Sequence, residues 1–130
     1  SPGMRFHTAV NKFCLNASLN LPITVYKTAL NQYRPYLSLK DAFKVFKLTI
    51  EKNLFKNQIY NALSENCTVK QIINKIRPFR RKIKIKFVHS EIMNQLSYHV
   101  SKKKLNKEGI QLNSKIKNDI KDTLFLIKNI

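Results

Sequence analysis

Apolar residues recur at helical spacing along most of this chain, with one short stretch in the middle that follows a different period. Phe6, Val10, Phe13, Cys14 and Ala17 share one face, which predicts a helix across roughly 5–18. Pro22 suits the first position of a second helix, in which Ile23, Tyr26, Leu30 and Tyr33 form a stripe ending before Pro35. Ser38 then caps the longest helix, with Asp41 in its first turn and Leu39, Ala42, Phe43, Phe46 and Ile50 as its core face. The pattern drifts at Lys52-Asn53 and resumes as Leu54, Phe55, Ile59, Ala62 and Leu63. Thr68 and Gln71 make a capping box ahead of Val69, Ile72, Ile73 and Ile76.

The exception is Arg77 to Val88, reading Arg-Pro-Phe-Arg-Arg-Lys-Ile-Lys-Ile-Lys-Phe-Val. Strict alternation of cation and apolar residue is the period of a strand with one face buried, here 82–88. Pro78 argues against helix through Arg77 and places a turn before the strand. Helical spacing returns with Ser90-Glu91, Met93, Leu96 and Val100, and Gly109 is a natural stop. Ile110 and Leu112 are the candidate partner strand, and a last helix from Ser114 carries Ile116, Ile120, Leu124 and Ile127. The whole predicts a mostly α fold, a compact bundle of about five to seven helices with one basic β-strand at 82–88 paired near 110–112. Residues 1–3 read as a cloning scar ahead of Met4, and 4–130 as a single domain.

Charge changes the picture most. The 130 residues hold 25 Lys and Arg against 7 Asp and Glu, a net +18, with no acid from Ser1 to Lys40 or from Asn66 to Ser90. Self-repulsion of that size opposes compaction, so a polyanionic partner is expected. Arg77, Arg80 and Arg81 at the turn, Lys82, Lys84 and Lys86 along the strand, and Lys102, Lys103, Lys104 and Lys107 are the candidate phosphate contacts. Phe79 could stack on an unpaired base or anchor the turn to the core. Two helical patterns (54–64 and 69–76) followed by a basic strand share the order of a winged helix-turn-helix. That order offers Lys70, Gln71, Asn74 and Lys75 as base contacts.

The chemistry is otherwise thin. With 2 glycines there is no phosphate-cradling loop, and the acids are too dispersed for two-metal catalysis, so no cofactor and no metal is expected. His89 and His99 are the candidates for a metal-independent ribonuclease. The 2 cysteines, Cys14 and Cys67, lack metal-ligand spacing and fit a reducing, intracellular compartment, whether nucleus, nucleoid, organelle or viral particle. No apolar run is long enough to span a bilayer, so no integral membrane association is expected. The expected function is therefore a non-enzymatic nucleic-acid-binding protein, DNA or RNA, of packaging, replication or ribonucleoprotein type. It would hold phosphates through 77–86 and 102–107. The alternative is an adaptor that docks an acidic protein or self-associates through its apolar C-terminal helix, 115–130.

Overall fold

The computed structural model describes residues 4–89 and 96–128. Residues 1–3, the expected helix start at Ser90-Glu91 with Met93, and Ile130 lie outside them. The element order is α1 (Ala9–Ser18), β1 (Ile23–Tyr26), a 3-10 turn (Lys27–Ala29), β2 (Tyr33–Tyr36), α2 (Leu39–Glu51) and β3 (Glu65–Thr68). Then follow α3 (Val69–Ile76), β4 (Ile85–Val88), α4 (Lys103–Lys107) and α5 (Ile116–Lys128).

This is an α/β arrangement, and it corrects the expected helical bundle. The segment after Pro22 is a strand: Ile-Thr-Val-Tyr buries Ile23 and Val25 and exposes Thr24 and Tyr26, the period of a sheet. β1 pairs in parallel with β4, Ile23 opposite Ile85 and Val25 opposite Phe87. The basic strand is therefore real but shorter than 82–88, and its partner is β1. Ile110 and Leu112 are fully buried without forming a strand. A second pair, β2 with β3, is antiparallel, Tyr33 opposite Thr68 and Tyr36 opposite Glu65. Tyr33 turns its N–H away from β3, donating to Ser97 Oγ at 3.0 Å. Pro35 sits two residues on at the same outward phase, so β2 carries a proline without losing a ladder bond.

The main core lies on one face of the parallel pair. Phe13, Cys14 and Ala17 of α1, Ile72, Ile73 and Ile76 of α3, and Ile116, Ile120, Leu124 and Ile127 of α5 close over Ile23 and Val25. Phe79, Ile83 and Ile85 pack against its rim. A smaller cluster gathers Leu105, Ile110 and Leu112 with Val45, Leu48, Leu54, Tyr60 and Ala62.

Four local expectations turn out differently. Leu96 and Val100 are not helical, since α4 begins only at Lys103. The face of α2 expected to be core is outside, with Phe43 and Phe46 each 71% exposed. Asp41, Val45 and Leu48 point inward instead, and the reason is polar. The buried Asp41 carboxylate accepts hydrogen bonds from Ser64 Oγ (2.6 Å), Ser114 N (3.1 Å) and Ser114 Oγ (2.8 Å). Turning α2 to bury its phenylalanines would strand that carboxylate and its three donors. Residues 52–64 form no helix, because Asn53 (φ 49°) and Asn57 (φ 51°) take the left-handed conformation and break the periodic run. Arg77 stays helical (φ −50°, ψ −40°) as the C-cap of α3 despite the proline after it, its N–H bonded to Ile73 O. The capping box between Thr68 and Gln71 forms with both bonds, Ser38 caps α2, and Gly109 (φ 74°) follows α4 as its stop.

Candidate functional site

In parallel sheets, ligands bind in the crevice beyond the carboxyl ends of the strands. β1 ends at Tyr26, and a cavity of about 480 Å³ lies there. Thr24, Val25 and Tyr26 form one side, with His7, Lys12 and Phe13 from the α1 region on another. Gln32, Arg34 and Tyr36 close it from β2 and its approach. No carboxylate lines the cavity, while Lys12 and Arg34 bring two basic side chains to it.

Arg34 is held in place before any ligand arrives. Its Nη1 donates to Tyr33 O (2.8 Å) and Leu96 O (2.7 Å), its Nη2 to Gln32 Oε1 (3.2 Å), and its guanidinium lies 5.1 Å from the Tyr98 ring centre. Burial raises the Tyr36 hydroxyl above its ordinary pKa, so it stays a neutral hydrogen-bonding group beside that cation. The walls therefore combine fixed charge, hydroxyls and an amide, a set suited to an anionic ligand carrying further polar groups.

The residues expected from the sequence are dispersed around other surfaces. Arg77, Arg81, Lys82, Lys84 and Lys86 are exposed. Arg80 turns partly inward, donating to Phe79 O (3.1 Å), and its charge opposes the burial that pushes the Cys14 thiol up to about 12. Phe79 anchors the turn to the core. Lys102 is half-buried and ties Ser64 O and Leu112 O together. Lys104 binds Gln58 Oε1 (2.8 Å) and Ile59 O (3.0 Å), while Lys103 and Lys107 face solvent. Gln71, Asn74 and Lys75 meet at an open hollow of about 720 Å³ with Glu65, His99 and Lys117. Gln71 is used by the capping box, and Lys75 pairs with Glu65 at 3.0 Å. Lys70 does not reach that hollow, and neither does His89. His99 stacks on Tyr33, ring centres 4.0 Å apart.

Sequence reasoning did not single out His7, Lys12, Thr24, Tyr26, Gln32, Arg34 or Tyr36. The signal for them in the sequence is the absence of acids before Lys40. Among the described residues no group of three or more His, Cys, Asp or Glu could hold a metal ion, and no helix is long and apolar enough to cross a membrane.

No family model matches the chain, and no curated protein matches it in sequence. Solved structures do match it in fold. A Burkholderia cenocepacia protein classed as an epimerase matches with a TM-score of 0.84 at 14% identity, over 98% of this chain and 43% of its own. The Thermus thermophilus UDP-glucose 4-epimerase in complex with NAD matches at 0.79 and 19%, over 98% and 43%. The UDP-glucuronic acid 4-epimerase of Bacillus cereus, in complex with UDP-glucuronic acid and NAD, matches at 0.78 and 14%, over 98% and 42%. The chain thus spans less than half the length of these structures.

The likeness agrees with the α/β fold described above and overturns the non-enzymatic nucleic-acid binder expected from charge. Two of the reported neighbours are epimerases in complex with NAD, and the nucleic-acid partner expected from the +18 falls with that expectation. The physical reason is that charge is a bulk property, whereas the fold follows from which apolar positions pair.

The residues present do not fit the grip of a dinucleotide. That grip needs a glycine-rich turn between a strand and a helix, where backbone N–H groups meet the pyrophosphate. The chain has 2 glycines, Gly3 and Gly109, and β1 runs into a 3-10 turn and a second strand.

Proposed function

We propose that these residues are the substrate-facing part of an α/β enzyme of the nucleotide-sugar epimerase kind. The cavity at the carboxyl end of β1 would bind an anionic, nucleotide-linked sugar. The observation that carries this reading is the acid-free cavity itself, placed where a parallel strand ends and walled by Lys12 and a pre-positioned Arg34. The fold likeness supports the class of ligand, because one neighbour is in complex with UDP-glucuronic acid. In this reading Lys12 and Arg34 hold phosphate or carboxylate oxygens. Thr24, Tyr26 and Gln32 orient the sugar by hydrogen bonds, and Phe13 and Val25 exclude water from the cavity floor.

Titration of the chain with UDP-glucuronic acid, followed by amide NMR shifts, tests this. The signals of Thr24–Tyr26 and Gln32–Tyr36 are expected to move saturably, and Lys12→Gln to weaken binding about tenfold. NAD over the same range is expected to leave them in place. Shifts confined to Arg77–Lys86, or none at all, would overturn the reading.

A further inference from the structure

The open hollow of about 720 Å³ beside β3 shares no residue with the cavity at the end of β1, and it has the volume of a small-molecule site. α3 brings Gln71, Asn74 and Lys75 to it, β3 brings Glu65, and α5 brings Lys117. Residues three and four apart on a helix point the same way, so the two amides and the ammonium of α3 face the hollow together.

Its charges do not balance. Lys75 Nζ lies 3.0 Å from Glu65 Oε2 and Lys115 Nζ 4.0 Å from Glu65 Oε1, so one carboxylate serves two ammonium groups. Lys117 stands at the same hollow with no ion-pair partner among the described residues. Three lysines against one carboxylate leave two positive charges, which match the dianion of a phosphate monoester. Hydrogen-bonding capacity is left over as well. Gln71 Oε1 accepts from Thr68 N (2.9 Å), which leaves its Nε2 donors to the hollow, and the Asn74 amide has no partner among the described residues.

We propose that this hollow is a second ligand site, for a small phosphate monoester that carries hydroxyl groups. The phosphate sits between Lys75 and Lys117, and the hydroxyls meet the amides of Gln71 and Asn74. The site also reaches Arg34. His99, in the hollow wall, stacks on Tyr33 with ring centres 4.0 Å apart, and the ring of the adjacent Tyr98 lies 5.1 Å from the Arg34 guanidinium. Asn66, also in the wall, accepts from Val100 N (3.1 Å) and donates to Val100 O (3.0 Å). Segment 96–100 therefore touches both the hollow and the side chain that walls the cavity, and a ligand that moves His99 is felt at Arg34. The hollow is an effector site, and it stands whatever the β1 cavity binds.

Ribose 5-phosphate is the probe, titrated into the chain at constant ionic strength and followed by amide NMR shifts. The side-chain amides of Gln71 and Asn74 and the backbone of Lys75 and His99 are expected to move saturably, with a Kd of about 1 mM. Arg34 and Tyr98 should follow, with Thr24–Tyr26 in place. Ribose should move nothing, and inorganic phosphate should bind about fivefold more weakly because it leaves the amides unused. Lys117→Gln and Asn74→Ala, both at exposed positions, should weaken binding about tenfold and about threefold with the fold unchanged. His99→Ala should keep the Gln71 and Asn74 shifts and lose those at Arg34 and Tyr98. Lys12→Gln, which alters only the cavity, should leave the titration as it was. Absence of saturable shifts overturns the site, and so do shifts at Thr24–Tyr26 that Lys12→Gln removes, which would assign the probe to the cavity. Equal affinity for inorganic phosphate overturns the monoester, and an Arg34 signal that stays in place while the hollow fills overturns the link.

Discussion

The two strand pairs are the same length and are treated in opposite ways. β2–β3 is stitched on every side. Its outer edge meets residues 96–100 through Tyr33 N to Ser97 Oγ and Arg34 to Leu96 O, and Asn66 holds Val100 by two bonds of 3.0 and 3.1 Å. Beside it, Asp41 gathers Ser64 and Ser114, and Ser38 Oγ donates to Asp119 at 3.0 Å. β1–β4 packs Ile23, Val25 and Ile85 on the core, but Phe87 beside Val25 is 51% exposed, and Thr24, Tyr26 and Lys86 on the other face are exposed too. The first pair is complete within these residues. The second leaves the β1 edge without a partner strand among the described residues, and the candidate cavity takes its walls from both pairs.

The comparison breaks most sharply at Asp41. Asp41→Ala orphans three donors in a buried layer and is expected to destabilise the chain by about 3 kcal/mol. The denaturant midpoint measures it, and loss of the β2–β3 amide protection should accompany it. Arg34→Gln removes the bonds to Tyr33 O and Leu96 O and is expected to destabilise by about 1.5 kcal/mol. Exchange should then accelerate in 96–100 and not in β1.

Asp119→Asn should have a smaller effect, and its sign depends on pH. Burial, the largest influence, raises the Asp119 pKa above 3.8, against the opposing Ser38 hydrogen bond and Lys40 charge. The folded state therefore binds this proton more tightly than the unfolded one. That contribution is present below about pH 3.8 and is lost as pH rises through the folded value. The asparagine variant should lack this fall, so it gains on the parent as pH rises above about 3.8, as urea unfolding across a pH series will show. The smallest effect is expected at the open edge. Thr24→Pro in the chain alone should change stability by no more than about 0.5 kcal/mol, since the lost N–H faces solvent. A loss as large as that of Arg34→Gln would mean that the β1 edge is already paired.

Much of the local architecture was legible in the chain. The capping box at Thr68 and Gln71, the Ser38 cap, the stop at Gly109 and the stripe Ile116, Ile120, Leu124, Ile127 all rest on groups within a few positions of one another. The alternation at 82–88 announced a strand, though only Ile85–Val88 pairs. Ile23–Tyr26 fits either period over four residues, and only its distant partner β4 makes it a strand. The cavity was invisible for the same reason, since its walls come from α1, β1, β2 and the start of α3.

By itself, then, the sequence determined where helices are capped and stopped, which helix faces of α3 and α5 are apolar, and that a cationic strand follows Pro78. These are decided by hydrogen bonds and side chains that meet within one or two turns. Tertiary structure alone decided that β4 lies parallel to β1 and that α2 turns its phenylalanines outward. The carboxylate of Asp41 selects that face through serines 23 and 73 positions away, and a buried charge with its donors outweighs an apolar stripe that solvent can still wet.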